Sequence, residues 1–257
     1  MFDIILCIVG LLFLIVILIL WLSGRETETK SYQGDKTFRE KYCDNQLASY
    51  TDHVVTEKKD VLKEHNKDYA FMVFDCETTG LPQNGPAYII QLSWVLLDKD
   101  CNIVKEANYY IKPPIPIPLE ATDINHITNE DVETKGSPLD DVLIEFHVDA
   151  LKSYRLVAHN FEFDSGMIDR ECQRLNLAVR SISNMLHICT MEKGTKYCQI
   201  LKANGQYKYP KLSELAEECK VQIPDNMHNS MTDVRVTARC LKHMLDYYVI
   251  KIKGINY

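Results

Sequence analysis

Phe71-Met72-Val73-Phe74-Asp75-Cys76-Glu77-Thr78-Thr79-Gly80-Leu81 changes character halfway along. Its first four residues are bulky and apolar, which predicts a buried strand. Two acids follow with one residue between them. Side chains alternate along a strand, so Asp75 and Glu77 share a face, about 7 Å apart along the chain. Two carboxylates held that close repel each other. Either they are a solvated pair at a strand end, or they serve a pair of divalent cations about 4 Å apart. Thr78-Thr79-Gly80-Leu81 then turns the chain, and Gly80 permits a positive φ or the close approach of a ligand.

Working outward, the chain has 257 residues, enough for one domain of moderate size with appendages. The formal charge of −7 argues against a protein that coats nucleic acid by bulk charge. It leaves room for an enzyme that binds a nucleic-acid end through metals and a local groove. Nine cysteines, none in a C-x-x-C pair, argue against a zinc site or disulfide framework and for a reducing compartment.

Residues 4–22 form an uncharged run of Ile, Leu, Val and Phe, long enough for a membrane-spanning helix. A cleavable signal peptide fits less well. Asp3 replaces the usual basic start, the run is long, and Trp21-Leu22-Ser23-Gly24 is a poor cleavage site. The expected organisation is a membrane anchor over 1–24, a charged, partly helical spacer over 25–68, and a folded domain over 69–257. Arg25, Lys30 and Lys36 lie on the C-terminal side of the run. The positive-inside rule thus predicts a single-pass protein whose body is cytoplasmic and whose contact with the lipid bilayer runs through 4–22.

Within the folded part, residues 88–97 and 103–111 read as further strands joined by the turn Asp98-Lys99-Asp100. Residues 112–118 are Pro-rich and predict a surface connection. Thr128 is placed to cap a short helix, and 138–151 shows an amphipathic helical pattern with Pro at its start. A short strand over 155–160 leads into a helix over 161–175. Residues 185–189 suggest another strand. Residues 191–209 give no clear pattern, and Gly194 and Gly205 favour loops. Helices are expected over 211–220 and 230–249. Meander strands followed by alternating helices and strands make a mixed-sheet α/β domain.

Two more acids stand beside the first pair. Asp164 follows a buried strand at the strand-to-helix junction where ligands gather in α/β sheets; the structural alternative is a charge on the helix's first turn. Asp233 lies near the start of the last helix, with His228 in the loop before it. Ser230-x-x-Asp233 also fits a capping box.

In order, Asp75-Cys76-Glu77, then His159-Asn160-Phe161-Glu162-Phe163-Asp164, then His228-Asn229-Ser230-Met231-Thr232-Asp233 resemble the three motifs of the DnaQ-like family. More narrowly they resemble its DEDDh branch of 3′→5′ exonucleases. The branch with Tyr in the third motif would place it four residues before Asp233, where Asn229 stands. Asn125-His126-Ile127-Thr128 resembles the family's His-Gly-Ile-Thr loop but departs from it at the first two positions.

The resemblance implies an RNase H-like fold, a mixed β-sheet flanked by α-helices. It implies two Mg²⁺ or Mn²⁺ ions held by Asp75, Glu77, Asp164 and Asp233, with His228 as general base. It implies that Thr78, Thr79, Gly80 and Leu81 cradle the 3′-terminal nucleotide, that His126 and Ile127 lie against its base, and that Asn160 orients the site. The implied partners are single-stranded or frayed 3′ ends of DNA or RNA. A membrane-tethered nucleic-acid-binding protein with an inactive exonuclease fold is the competing expectation, and the presence of all five catalytic residues argues against it.

Overall fold

Strand β1 (Tyr69–Thr78) lies inside the sheet because both faces of its first half are apolar: Phe71, Met72, Val73 and Phe74 are fully buried. The computed structural model describes residues 67–224 and 227–252. The expected anchor and almost all of the expected spacer fall outside them. Among the described residues no helix is long and apolar enough to cross a membrane.

Strand β2 (Ile89–Leu97) pairs antiparallel with β1, and β3 (Ile103–Ile111) antiparallel with β2. Helix α1 (Leu119–Asn125) and helix α2 (Asn129–Lys135) follow. Two residues, Gly136–Ser137 (β4), pair parallel with the end of β3. Helix α3 (Leu139–Lys152) leads to β5 (Ser153–Ala158), parallel to β1. Helix α4 (Phe161–Arg174), β6 (His187–Cys189), α5 (Thr190–Cys198), α6 (Leu212–Glu218) and α7 (Ser230–Asp246) complete the described chain. The mixed sheet has the order β4-β3-β2-β1-β5-β6.

Period-two alternation divides the core between the two faces. Met72, Phe74, Leu92, Trp94 and Leu96 pack with Phe146 of α3 and with Phe161, Met167 and Ile168 of α4. Phe71, Val73, Val95 and Leu97 face the other way, onto Leu215 of α6 and Val234, Leu241 and Met244 of α7. Edge-to-face contacts of Phe74 with Phe146 and Phe161, at 5.2 and 5.7 Å, fix α3 and α4 against the strand.

The expected strands and the helices over 138–151, 161–175, 211–220 and 230–249 all form, with shifted ends. Thr128 caps α2 through a reciprocal pair with Asp131. Residues 119–125 form a helix over a stretch for which the sequence pattern gave no assignment. Two expectations fail. Residues 190–198 form α5 despite Gly194, because the glycine is buried where a Cβ would stand 2.9 Å from Leu215 Cδ1; it lets α5 and α6 approach. The capping box at Ser230 does not form. Asn229 is the N-cap and gives no side-chain cap bond, while Ser230 is buried and turned toward the sheet.

Candidate active site

The alternation that sends Phe71 and Val73 toward α7 sends Asp75 and Glu77 the same way. Opposite them on β2, Ser93 pairs with Asp75 and Gln91 with Glu77. The core face therefore turns polar over its last two rungs. The register slips between Glu77 and Thr78, a β-bulge that ends regular pairing beside the acids.

Asp233, on the first turn of α7, completes the group. Carboxylate oxygens of Asp75, Glu77 and Asp233 lie within 4.8 Å of one another. Asp164 arrives from the opposite layer, on the first turn of α4. Its Oδ1 accepts from the Cys76 backbone N–H and thiol, both at 3.3 Å. That bond secures Asp164 to the residue between the two strand acids. It is a tie to the sheet and not a cap on its own helix. Asp164 stands outside the close triad but within electrostatic reach of it.

Electrostatics describe a site with too much negative charge. Burial pushes Glu77 up to about 8, helped by Asp233 and Asp164. Burial raises Asp164 to about 7 against the pull of the Cys76 hydrogen bonds. Asp233 is raised to about 6 by burial, while the charge and backbone N–H of His228 pull it down. Asp75 is driven well above the usual carboxylate range, by burial first and then by Asp164, Glu77 and Asp233. Asp233 Oδ1 is buried without a hydrogen-bond partner among the described residues. An all-oxygen donor set, closely spaced acids and an orphaned carboxylate oxygen fit hard divalent cations.

His228 is exposed, has φ 67°, and sits where its backbone and charge both act on Asp233. Thr79 is buried; its N–H donates to Tyr88 O at 2.9 Å and its hydroxyl accepts from Tyr88 N–H at 3.1 Å. Thr78 Oγ1 donates to Gly80 O at 2.8 Å, which tightens the turn. Gly80 has φ 156° and open space where a Cβ would stand, and Leu81 is exposed. Asn160, with φ 100°, is the N-cap of α4. It borders an open groove of about 310 Å³ with Pro82, Gln83, Phe163, Gly166 and Arg170.

The loop with His126 and Ile127 is placed differently from the rest. His126 is exposed and closes α1 in a left-handed conformation. Ile127 is buried with Ile90, Ile117, Ala121 and Val132, so its side chain fills a small core.

Sequence reasoning missed a buried polar clamp. Ser93 Oγ lies 2.6 Å from Ser230 Oγ and donates to Asn108 Oδ1 at 2.9 Å. The Ser230 backbone N–H donates to Gln91 Oε1, whose amide donates to Asn108 Oδ1. The clamp ties the start of α7, and so Asp233, to the strand opposite Asp75 and Glu77. Its signal was available: Gln91 and Ser93 interrupt an otherwise apolar strand at alternate positions. His159 was also passed over. It is buried, its Nε2 donates to Pro210 O and its Nδ1 accepts from Thr190 Oγ1, both at 3.0 Å, and burial lowers it to about 4. It acts as a neutral brace behind α4.

A family model described as Exonuclease matches residues 72–241. The chain is 32% identical over 187 residues to the PolC-type DNA polymerase III of Caldanaerobacter subterraneus, covering 72% of this chain and 12% of that protein. It is 32% identical over 127 residues to the DNA polymerase III epsilon subunit of Buchnera aphidicola, covering 48% and 54%. The chain thus spans a small part of the PolC-type polymerases and about half of the epsilon subunit. Among solved structures, E. coli exonuclease I in complex with a dA16 oligonucleotide superposes with a TM-score of 0.58 at 17% identity, over 70% of this chain and 41% of that one. Exonuclease X in complex with 5′ overhanging duplex DNA superposes with a TM-score of 0.52 at 24% identity, over 72% and 96%. At these identities the structures establish a shared fold.

Proposed function

The chain belongs to the exonuclease family, and from that premise we propose that it is a metal-dependent 3′→5′ exonuclease releasing nucleoside 5′-monophosphates from single-stranded or frayed 3′ ends of DNA or RNA. The observation that carries this reading is the convergence of Asp75, Glu77 and Asp233 within 4.8 Å, with one Asp233 oxygen buried and unpartnered. A structural cluster of acids gains nothing from that arrangement.

Asp75, Glu77, Asp164 and Asp233 would hold two Mg²⁺ or Mn²⁺ ions, which supply the positive charge that activates water and stabilises the leaving oxygen in phosphodiester hydrolysis. The remaining work falls to the chain. His228 accepts the proton of the attacking water, a role suited to an exposed imidazole beside Asp233. The Thr78–Leu81 turn offers the open space at Gly80 and the exposed Leu81 to the 3′-terminal nucleotide. Asn160 and the groove beside it take the adjoining part of the strand. Such contacts use phosphate, sugar and ring faces, which every nucleotide shares, so little sequence preference is expected.

The relatives' names support DNA as a substrate: two are DNA polymerase III components, and the superposed structures include DNA complexes. The uncharged run over 4–22 supports attachment to a bilayer, with the domain on the cytoplasmic side. Retention in the pellet after alkaline carbonate extraction would sustain that attachment; release would end it.

The test of activity uses the full chain with 5′-labelled single-stranded DNA and matched RNA, in Mg²⁺ or in chelator. A metal-dependent ladder shortening from the 3′ end, abolished by His228→Ala, is expected. Intact substrate in Mg²⁺ with binding retained would leave only a nucleic-acid-binding module.

A further inference from the structure

Residues 192–211 carry Lys193, Lys196, Lys202, Lys208 and Lys211 with Tyr197, Tyr207 and Tyr209, in a chain whose net charge is −7. Part of this stretch lines a second groove, of about 780 Å³, formed by Lys193, Lys196, Tyr197, Tyr209, Tyr247 and Tyr248. The volume lies within the range of ligand-binding clefts, about 300–1,000 Å³. Tyr209, Tyr247 and Tyr248 are each more than half exposed. Among the described residues neither Lys193 nor Lys196 has an ion-pair partner, and Glu192 is the single acid on the wall.

The rings are ordered in advance. Tyr197 Oη lies 2.9 Å from His243 Nε2, and His243 stacks on Tyr247 with centroids 4.2 Å apart and planes 21° from parallel. Tyr247 is the end of that stack and still 67% exposed. A fixed ring with an open face beside unpaired ammonium groups is the combination that binds single-stranded polynucleotides, through base stacking and phosphate attraction.

The groove is also connected to the acids. Tyr209 precedes Pro210, whose carbonyl accepts the His159 hydrogen bond, and His159 adjoins the N-cap of the helix bearing Asp164. From there the groove reaches Tyr247, at the far end of the helix whose first turn carries Asp233, about 21 Å from that acid along the helix at 1.5 Å per residue. We propose that this groove holds a single-stranded polynucleotide segment upstream of the 3′ end in the acidic site, by stacking on Tyr209 and Tyr247 and by phosphate contacts from Lys193 and Lys196. The assignment of the strand's 3′ end rests on the exonuclease reading; the groove's binding does not.

Two measurements separate them. The first is anisotropy of a labelled oligothymidylate with the full chain in chelator, where metal–phosphate contacts are gone. Tyr209→Ala and Tyr247→Ala should each weaken binding about tenfold. Lys193→Ala with Lys196→Ala should reduce the log–log salt slope by about 1.4, and Arg at both positions should restore it. The second is cleavage in Mg²⁺: the same variants should raise KM for the long oligonucleotide, leave kcat unchanged, and leave hydrolysis of a dinucleotide untouched. Binding and salt slope unchanged by all four substitutions would overturn the groove while leaving the exonuclease standing. Groove-dependent binding without any cleavage would do the reverse. All four positions are exposed or lie on the groove wall, so loss of fold is not the expected cause of either result.

Discussion

The two halves of strand β1 share one alternation and one sheet, yet they do opposite work. In the inner half, Phe71 and Val73 face α7 beside their β2 partners Leu97 and Val95, and all four are buried in one apolar cluster. In the outer half the same face carries Asp75 and Glu77 against Ser93 and Gln91, and its charges are not balanced. The inner half lowers the free energy of the fold. The outer half raises it and stores the excess as affinity for cations. A continuous strand thus holds a soft electrostatic requirement at hard, fixed spacing, which is what a preorganised site needs.

The comparison can be broken most decisively by trading the halves against each other. Phe74→Ala empties a site ringed by Phe146 and Phe161 and should cost about 3–5 kcal/mol of stability. Asp75→Asn should lower the rate of metal-dependent hydrolysis by about a hundredfold or more. Yet its melting temperature in chelator should equal or exceed that of the parent, because a repelled buried charge is removed. Thermal melts and initial rates on the two variants check this. A loss of stability in Asp75→Asn as large as that of Phe74→Ala would show that the acid supports the fold.

Proton linkage gives the next largest effect. Glu77, Asp164 and Asp233 sit at about 8, 7 and 6 in the folded chain, against ordinary values of 4.5, 3.8 and 3.8. Between the ordinary and raised values the folded chain binds more protons than the unfolded one. Stability in chelator should therefore fall as pH rises from about 5 to about 8. Mg²⁺ replaces those protons, so its stabilising effect should grow over the same interval. Melting curves with and without Mg²⁺ across this window decide it. A gap that stays constant with pH would mean that these carboxyls are not where the cation binds.

The difference between the halves also explains what the sequence disclosed. Apolar alternation and turn residues located β1, β2 and β3, because local pattern and final burial agree there. The four acids and His228 were legible through their motifs. What pairs with them was not. That Ser93 faces Asp75 depends on cross-strand register, and that Asp164 is tied to Cys76 depends on the path of α4 around the strand end. Ile127 looked like part of a substrate loop, but its fate was decided by distant partners such as Ile90 and Val132. Gly194 looked like a helix breaker, and only the closeness of Leu215 explains a glycine inside α5. Local pattern reports what a residue can do; contacts across long stretches of chain choose among the possibilities.

The smallest expected effect probes where the two halves meet. Ser93 and Val95 lie on the same face of β2, two residues apart, the first opposite Asp75 and the second opposite Val73. Ser93→Ala removes the 2.6 Å contact with Ser230 and one donor to Asn108, at a cost of about 1 kcal/mol. Because Ser230 starts the helix that carries Asp233, the larger consequence should be looser placement of that acid and about tenfold weaker Mg²⁺ dependence of the rate. Val95→Ala should cost about 2 kcal/mol of stability through lost burial and leave the Mg²⁺ dependence unchanged. The pair therefore distinguishes a residue that positions the acids from one that merely supports the sheet beneath them. If both substitutions shift the Mg²⁺ midpoint equally, the clamp has no special role and the boundary between the halves of β1 is not functional. If only Ser93→Ala shifts it, the site begins at that rung of the sheet, two residue pairs before the Glu77–Gln91 pair that borders the bulge, and the polar residues of β2 belong to it as firmly as the acids of β1.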